Sequence, residues 1–337
     1  MRRQAEACAR LGSPFTARLL RLVADRLDPA TPVSARVLGW PGDPLSTGDA
    51  VALRLAGGLH ALVLSGADAA LAQAYAQPDT TDDDTLWHAI AGALQHHDAH
   101  LQHWLDNPPQ TNEPARSAVL IAAGHWLAAR FGLPLELLEL GASAGLNLRW
   151  DAYALEVEGQ RLGPADAALT LRPDWTGPLP PMTPPRVVGR AGVDLNPLDP
   201  RRDRLRILSY VWADQQARLA RMRAALDLAV AQPVEVSRAD AADWLEARLQ
   251  TPRPDTLRLV THTVVWQYFP QDTDRRARAA IAQAGAQAPL ARLGMEQDHT
   301  GQPGAAIWLD LWPGERVDLG RADFHGRWVD WQAPPAR

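Results

Sequence analysis

The chain has 337 residues, 46% of them hydrophobic, enough for two domains that each bury a core. Its formal charge of −5 and pI near 6.1 lack the basic footprint of a nucleic-acid-binding protein. All 34 basic side chains are arginine, which excludes Schiff-base lysine chemistry, lysine-anchored pyridoxal phosphate and a P-loop lysine. A single cysteine, Cys8, excludes an internal disulfide and a multi-cysteine zinc site. No apolar run approaches the roughly 20 residues of a membrane span, and MRRQAEACARLGSPF has no apolar signal core. A soluble, cytoplasmic protein with neither nucleic acid nor membrane as partner is expected.

In chain order, residues 4–27 carry apolar positions at helical spacing, interrupted by Gly12-Ser13-Pro14. Residues 33–38 and 51–65 read as strands, with Gly57-Gly58 a turn within the second run. Asp82-Asp83-Asp84 heads a long helical pattern from Leu86 to about Leu105, and a further helix runs from Pro114 to Phe131. Residues 1–132 therefore predict a mainly helical N-terminal domain with at most a small sheet.

From residue 133 the pattern alternates. LELLEL, starting at Leu135, is a strand running into GASAG and a predicted helix. A hairpin over Leu155 to Leu162 and a proline-rich loop over Pro173 to Pro185 form an insertion at about 151–186. Strands at 186–195, 233–240 and 257–265 alternate with helices at 202–230, 241–249 and 274–286, and strand-like pieces at 290–297, 305–312 and 326–331 follow. Residues 133–337 thus predict an α/β fold: a Rossmann-like, methyltransferase-type doubly wound sheet with an antiparallel finish.

The chemistry centres on Glu139-Leu140-Gly141-Ala142-Ser143-Ala144-Gly145-Leu146-Asn147, where small residues allow a sharp turn and close approach to a ligand. Three readings compete. The segment resembles the first motif of S-adenosylmethionine-dependent methyltransferases, with Ser143 in place of the middle glycine. That resemblance implies a cofactor site of Glu139, Gly141, Ala142, Ser143, Gly145 and Asn147. It adds Asp194 at the next strand end for the ribose, and Asp240-Ala241 at the third for the adenine. Alternatively, Gly141-Ala142-Ser143-Ala144-Gly145 is a nucleophile elbow, with the permitted order Ser143, then Asp194 or Asp240, then His262, His299 or His325. Against it, LELLEL reads as the first strand of its sheet, and no glycine cluster for an oxyanion loop lies nearby. Dinucleotide binding needs Gly-x-Gly-x-x-Gly, a spacing the segment lacks, while Ser143 in place of glycine leaves a non-catalytic nucleotide-binding protein as a further alternative.

Five segments, QTNE (Gln110 to Glu113), LLELGASAGLNL, GVDLNPLD, SYVWADQQARL and HTVVWQYF, resemble in order a bacterial family designated DUF2332. The likeness spans roughly residues 10–330 and implies little chemistry beyond a methyltransferase-like fold. The methyl acceptor is expected to be a small molecule or a protein side chain, since the charge argues against nucleic acid. His262 is the candidate base, since a near-neutral imidazole can take a proton from the methyl acceptor. Gln267 and Tyr268 join it as candidate catalytic residues. Trp266 and the polar cluster of Gln110, Asn112 and Glu113 are substrate-binding candidates, although the cluster also reads as a helix start. The alternative for Asp194 is a residue capping the Leu195-Asn196-Pro197 bend, with the ribose role preferred, and His262 reads equally as a hydrogen-bonded strand histidine. His96, His100 and His103 share a helical face at metal-binding spacing, but no carboxylate completes a site, and no metal is assigned.

Overall fold

The computed structural model describes residues 1–336, which divide into two compact units: Met1–Thr111 with Arg201–Arg223, and Asn112–Pro200 with Ala224–Arg337. The division falls at Thr111/Asn112 rather than at 132/133, because the helix over 117–131 belongs with the sheet, and residues 201–223 return to the first unit.

The first unit is built of α1 (Arg2–Arg10), α2 (Pro14–Arg26), α3 (Pro32–Leu38), α4 (Val51–Ser65), α5 (Ala69–Ala76), α6 (Asp83–His96) and α7 (Asp98–Asp106). Its core joins Leu19, Leu20, Leu55, Leu59, Leu71, Leu86 and Leu101. The strands expected at 33–38 and 51–65 are helices instead. Pro32 in the first turn and the Thr31 side chain, accepting from the Ser34 N–H, start α3. Gly57 and Gly58 make no turn. A methyl group on Gly57 would lie 2.6 Å from the Tyr210 ring, and one on Gly58 2.9 Å from Leu101. The glycines let neighbours approach α4 closely, and an unbroken apolar run suits a buried helix as well as a strand. The single helix expected over Leu86–Leu105 is broken at His97, and Asp98 accepts the Val33 N–H at 2.8 Å.

No single helix among the described residues is long and apolar enough to cross a membrane. The pair α4 and α5 passes on composition only when combined, and it bends by 99°.

The second unit opens with α8 (Ser117–Phe131), β1 (Leu135–Leu140) and a short 3-10 segment, Asn147–Ala152. The strands β2 (Ala154–Val157), β3 (Gln160–Leu162) and β4 (Thr170–Leu171) form a small separate sheet. Its hairpin turns at Glu158 and Gly159, both at positive φ, as expected from the sequence. Then come β5 (Asp174–Thr176) and β6 (Val187–Asp194). The chain next passes through the first unit in α9 (Arg204–Ser209) and the start of α10 (Gln216–Ala231), and β7 (Val236–Arg238), α11 (Ala241–Arg248), β8 (Leu257–Thr263) and α12 (Gln271–Gly285) follow in the second. β9 (Leu290–Glu296), β10 (Ala305–Leu311), β11 (Glu315–Ala322) and β12 (Trp328–Trp331) finish the fold. The long helix expected over 202–230 is therefore two helices.

The main sheet has nine strands in the order β5-β12-β11-β10-β9-β8-β1-β6-β7. β7, β6, β1, β8 and β9 run parallel, and β10, β11 and β12 continue antiparallel. This is a large mixed α/β sheet with an antiparallel finish. Chain order reverses beside β1: β6 and β7 follow on one side, β8 and β9 on the other. In open α/β sheets such a reversal leaves a crevice at the carboxyl edge. Alternation along each strand sends neighbouring side chains to opposite faces. Leu138, Leu140, Val260 and Ala191 pack on one face with α11 and α12 residues such as Leu245 and Ile281. The helix expected directly after GASAG is only the 3-10 segment, kinked at Arg149 (φ −112°, ψ 18°), whose guanidinium bonds the carbonyls of Gly145, Ala229 and Gln232.

Candidate functional site

β1 ends at Leu140, and the next five residues turn through three positive φ values: Gly141 at 65°, Ser143 at 52° and Gly145 at 65°. Glycine is required at Gly141, where a methyl group would lie 2.3 Å from a Val265 methyl. The loop is tied inward. The Ala142 N–H bonds the Val193 carbonyl, Ser143 N–H the Asp194 carboxylate (2.9 Å), Gly145 N–H the Ala142 carbonyl and Leu146 N–H the Asn112 Oδ1 (2.8 Å). With those four donors satisfied within the protein, the loop is not an open anion cradle. Recognition falls to its side chains.

Glu139 lies level with Gly192 and Thr261 in the flanking strands. It is buried, and its Oε2 has no hydrogen-bond partner. Burial pushes its carboxyl up to about 8, opposed by the positive charges of Arg149 and Arg116 and reinforced by Asp194. Ser143 Oγ and Asn147 Nδ2 are likewise buried and unpartnered, while Asn147 Oδ1 accepts from the Ser117 hydroxyl at 2.7 Å. Unsatisfied polar atoms at the end of β1 and on the loop it feeds mark this strand end as the candidate site.

His262 faces the other way. It pairs with Leu140 and Gly294, one residue out of step with Glu139, so strand alternation puts it on the opposite side of the sheet. Its Nδ1 lies 2.8 Å from Glu296 Oε1, which also accepts the N–H groups of Val265 and Trp266, both at 3.0 Å. The Trp266 and Trp308 rings flank the imidazole, with centroids 4.6 and 5.8 Å away. Burial pulls its pKa below the ordinary histidine value, partly offset by Glu296, so the ring is neutral at pH 7 with Nε2 unpartnered. Glu296 escaped the sequence reading. Its only signal was a carboxylate closing an apolar strand, and its role depends on β9 pairing with β8. Val264, at φ 57°, holds a conformation that β-branched residues rarely adopt.

The remaining candidates scatter. Asp194 sits at the end of β6, its oxygens accepting the Ser143 and Asn196 N–H groups. Asp240 caps α11: one oxygen accepts from Ala242 and Asp243, the other from the Thr273 hydroxyl, and Ala241 is buried beside it. Asn112 is buried and holds Leu146, whereas buried Glu113 caps the turn at Pro114–Arg116. Gln110 falls in the first unit. Trp266 is a buried wedge whose indole N–H bonds Asp274, while Gln267 and Tyr268 are exposed on the same turn.

Ser143 Oγ bonds no histidine, so the nucleophile elbow has no base in place. His299 is exposed. The histidine face dissolves at the His97 break: His96 ends α6, whereas His100, in α7, reaches the Gly58 carbonyl at 3.1 Å and stacks on Trp104. Among the described residues no group of three potential ligands could hold a metal ion.

No curated protein matches the chain. The family model for DUF2332, described as an uncharacterised protein conserved in bacteria, matches residues 1–331, and the chain belongs to that family.

Proposed function

We propose that this chain is an S-adenosylmethionine-dependent methyltransferase acting on a small molecule or a protein side chain. One observation carries the reading. The parallel strands follow the order β7-β6-β1-β8-β9, and the glycine-turned loop closes β1 where that order reverses. A Rossmann-like nucleotide site lies at that point in doubly wound sheets. Fold alone does not fix the reaction, so the side chains must match the ligand.

They match in part. S-adenosylmethionine carries an ammonium and a carboxylate, a ribose diol and an adenine. Glu139, Ser143 and Asn147 offer buried unpartnered acceptors and donors for the amino-acid end. Asp194 keeps spare lone pairs beyond its two backbone bonds, enough for a ribose hydroxyl. Asp240 fits least, because the cap and Thr273 engage both of its oxygens. The sulfonium would supply the methyl group. The protein's part is positioning: Asp194 and Asn112 fix the loop, and Glu296 holds His262 and the turn at Val265–Trp266. Gln267 and Tyr268, exposed on that turn, remain the candidate side chains for the acceptor.

The test is calorimetric titration with S-adenosylmethionine and S-adenosylhomocysteine, with NAD as control. Saturable binding of the first two is expected, and Asp194→Ala should abolish it. A folded protein that binds neither overturns the proposal, and labelling of Ser143 by a fluorophosphonate would turn it toward a serine hydrolase.

A further inference from the structure

Beside α8, the second unit has a separate, partly open cavity of about 300 Å³, lined by Ile121, His125, Trp150, Asp151, Tyr153 and Pro184 among others. His125 lies about 12 Å along α8 from Ser117, at 1.5 Å per residue, so the cavity is set back from the strand end carrying Glu139. Three of its lining side chains each carry a buried polar atom without a partner: His125 Nδ1, Trp150 Nε1 and Asp151 Oδ1. Their backbones come from two different elements, α8 and the 3-10 segment. His125 and Trp150 are 4% and 2% exposed. Each such atom has lost its water without gaining a partner, so three around one hollow call for a ligand rather than a packing accident.

Their chemistry specifies it. The indole N–H of Trp150 requires an acceptor. Asp151 Oδ1 requires a donor, while Oδ2 of the same carboxylate is neutralised by Arg190 at 2.8 Å. His125, held neutral chiefly by burial, donates its other ring N–H to the Pro181 carbonyl, so Nδ1 is an acceptor and also requires a donor. No charge is left uncompensated, which disfavours an ionic ligand. Ile121 and the prolines give apolar walls, and Tyr153, its hydroxyl spent on the Leu146 carbonyl, adds no further demand. The volume sits at the lower end of the roughly 300–1,000 Å³ of small-molecule sites.

We propose that this cavity binds an uncharged heteroaromatic lactam, a flat ring carrying an N–H donor beside a carbonyl acceptor. The site does not depend on the methyltransferase reading.

The probes are uracil, 2-pyridone and hypoxanthine, with toluene and benzoate as apolar and anionic controls. ¹⁵N-resolved spectra of the indole N–H groups report the site, the Trp150 resonance being the one lost in Trp150→Phe. At least one lactam should shift that resonance saturably, and Asp151→Asn should weaken its binding at least tenfold. No shift with any of the three lactams overturns the proposal. So does an equal shift with toluene, which would make the cavity a non-specific apolar hollow. If Trp150→Phe fails to fold, Asp151→Asn carries the comparison by the lactam-induced rise in melting temperature. That rise should be present in the wild type and lost in the variant, and its survival in the variant is a negative result.

Discussion

Ser143 combines a left-handed backbone with a buried hydroxyl that bonds nothing. Both features disfavour serine at this position, and glycine would relieve both. Ser143→Gly should therefore raise stability by about 1 kcal/mol, seen as a higher melting temperature, while Ser143→Ala keeps the backbone strain and gains less. If Ser143 were a nucleophile, both variants would be inactive; under the methyltransferase reading Ser143→Gly retains cofactor affinity. Glu139 makes a prediction in pH. Its carboxyl is raised to about 8 from an ordinary 4.5, so the folded chain favours the protonated form. The stability it contributes is complete below about pH 4.5 and is lost as the pH rises through about 8. Glu139→Gln, which cannot ionise, should match the wild type at pH 4 and exceed it at pH 9 by on the order of a few kcal/mol. Parallel denaturation curves at the two pH values would show that Glu139 is not held protonated.

Among the elements, those with local signals were readable and those set by distant partners were not. LELLEL announced β1 because a leucine-rich six-residue stretch meets a glycine-turned loop. The hairpin at Glu158-Gly159 and the start of α6 at Asp82 were equally local. α4 was misread because its glycines serve neighbours remote in sequence, Tyr210 among them. β11 went unnoticed: ERVDLGRA has charged residues on its exposed positions and gains its register only from β10 and β12. At the site, the loop and the strand-end acids were legible, but the separation of Glu139 from His262 by the sheet itself was not. A period of two hides which face a residue takes until the register is known. The same distinction bears on Asp240, which the sequence offered as an adenine contact and the structure engages as a helix cap. Asp240→Ala should cost about 1–2 kcal/mol of stability with no loss of cofactor affinity in the folded protein, measured by denaturant titration and calorimetry. A selective loss of affinity would return Asp240 to the ligand.

At the level of the whole molecule, the first unit is discontinuous in sequence. Tyr210 packs against Gly57, and Asp214 accepts the Ser13 hydroxyl and the Phe15 N–H, at 2.5 and 2.9 Å. A fragment of residues 1–111 lacks all of these. It should melt well below a chain in which residues 201–223 are fused to its end, as followed by circular dichroism. Equal melting temperatures would mean that the first seven helices are self-sufficient.

Synthesis on the ribosome gives that discontinuity a temporal meaning. The helices of residues 1–111 emerge first, yet their closing segment arrives only with residue 223. At about 5–20 residues per second the delay is roughly 6–20 s. Throughout it, the apolar surface awaiting Tyr210 stays open while the first strands of the sheet are already emerging. The nascent chain therefore holds two unfinished units at once, and its yield in the cell should be more sensitive to chaperone supply than the stability of the finished protein would suggest.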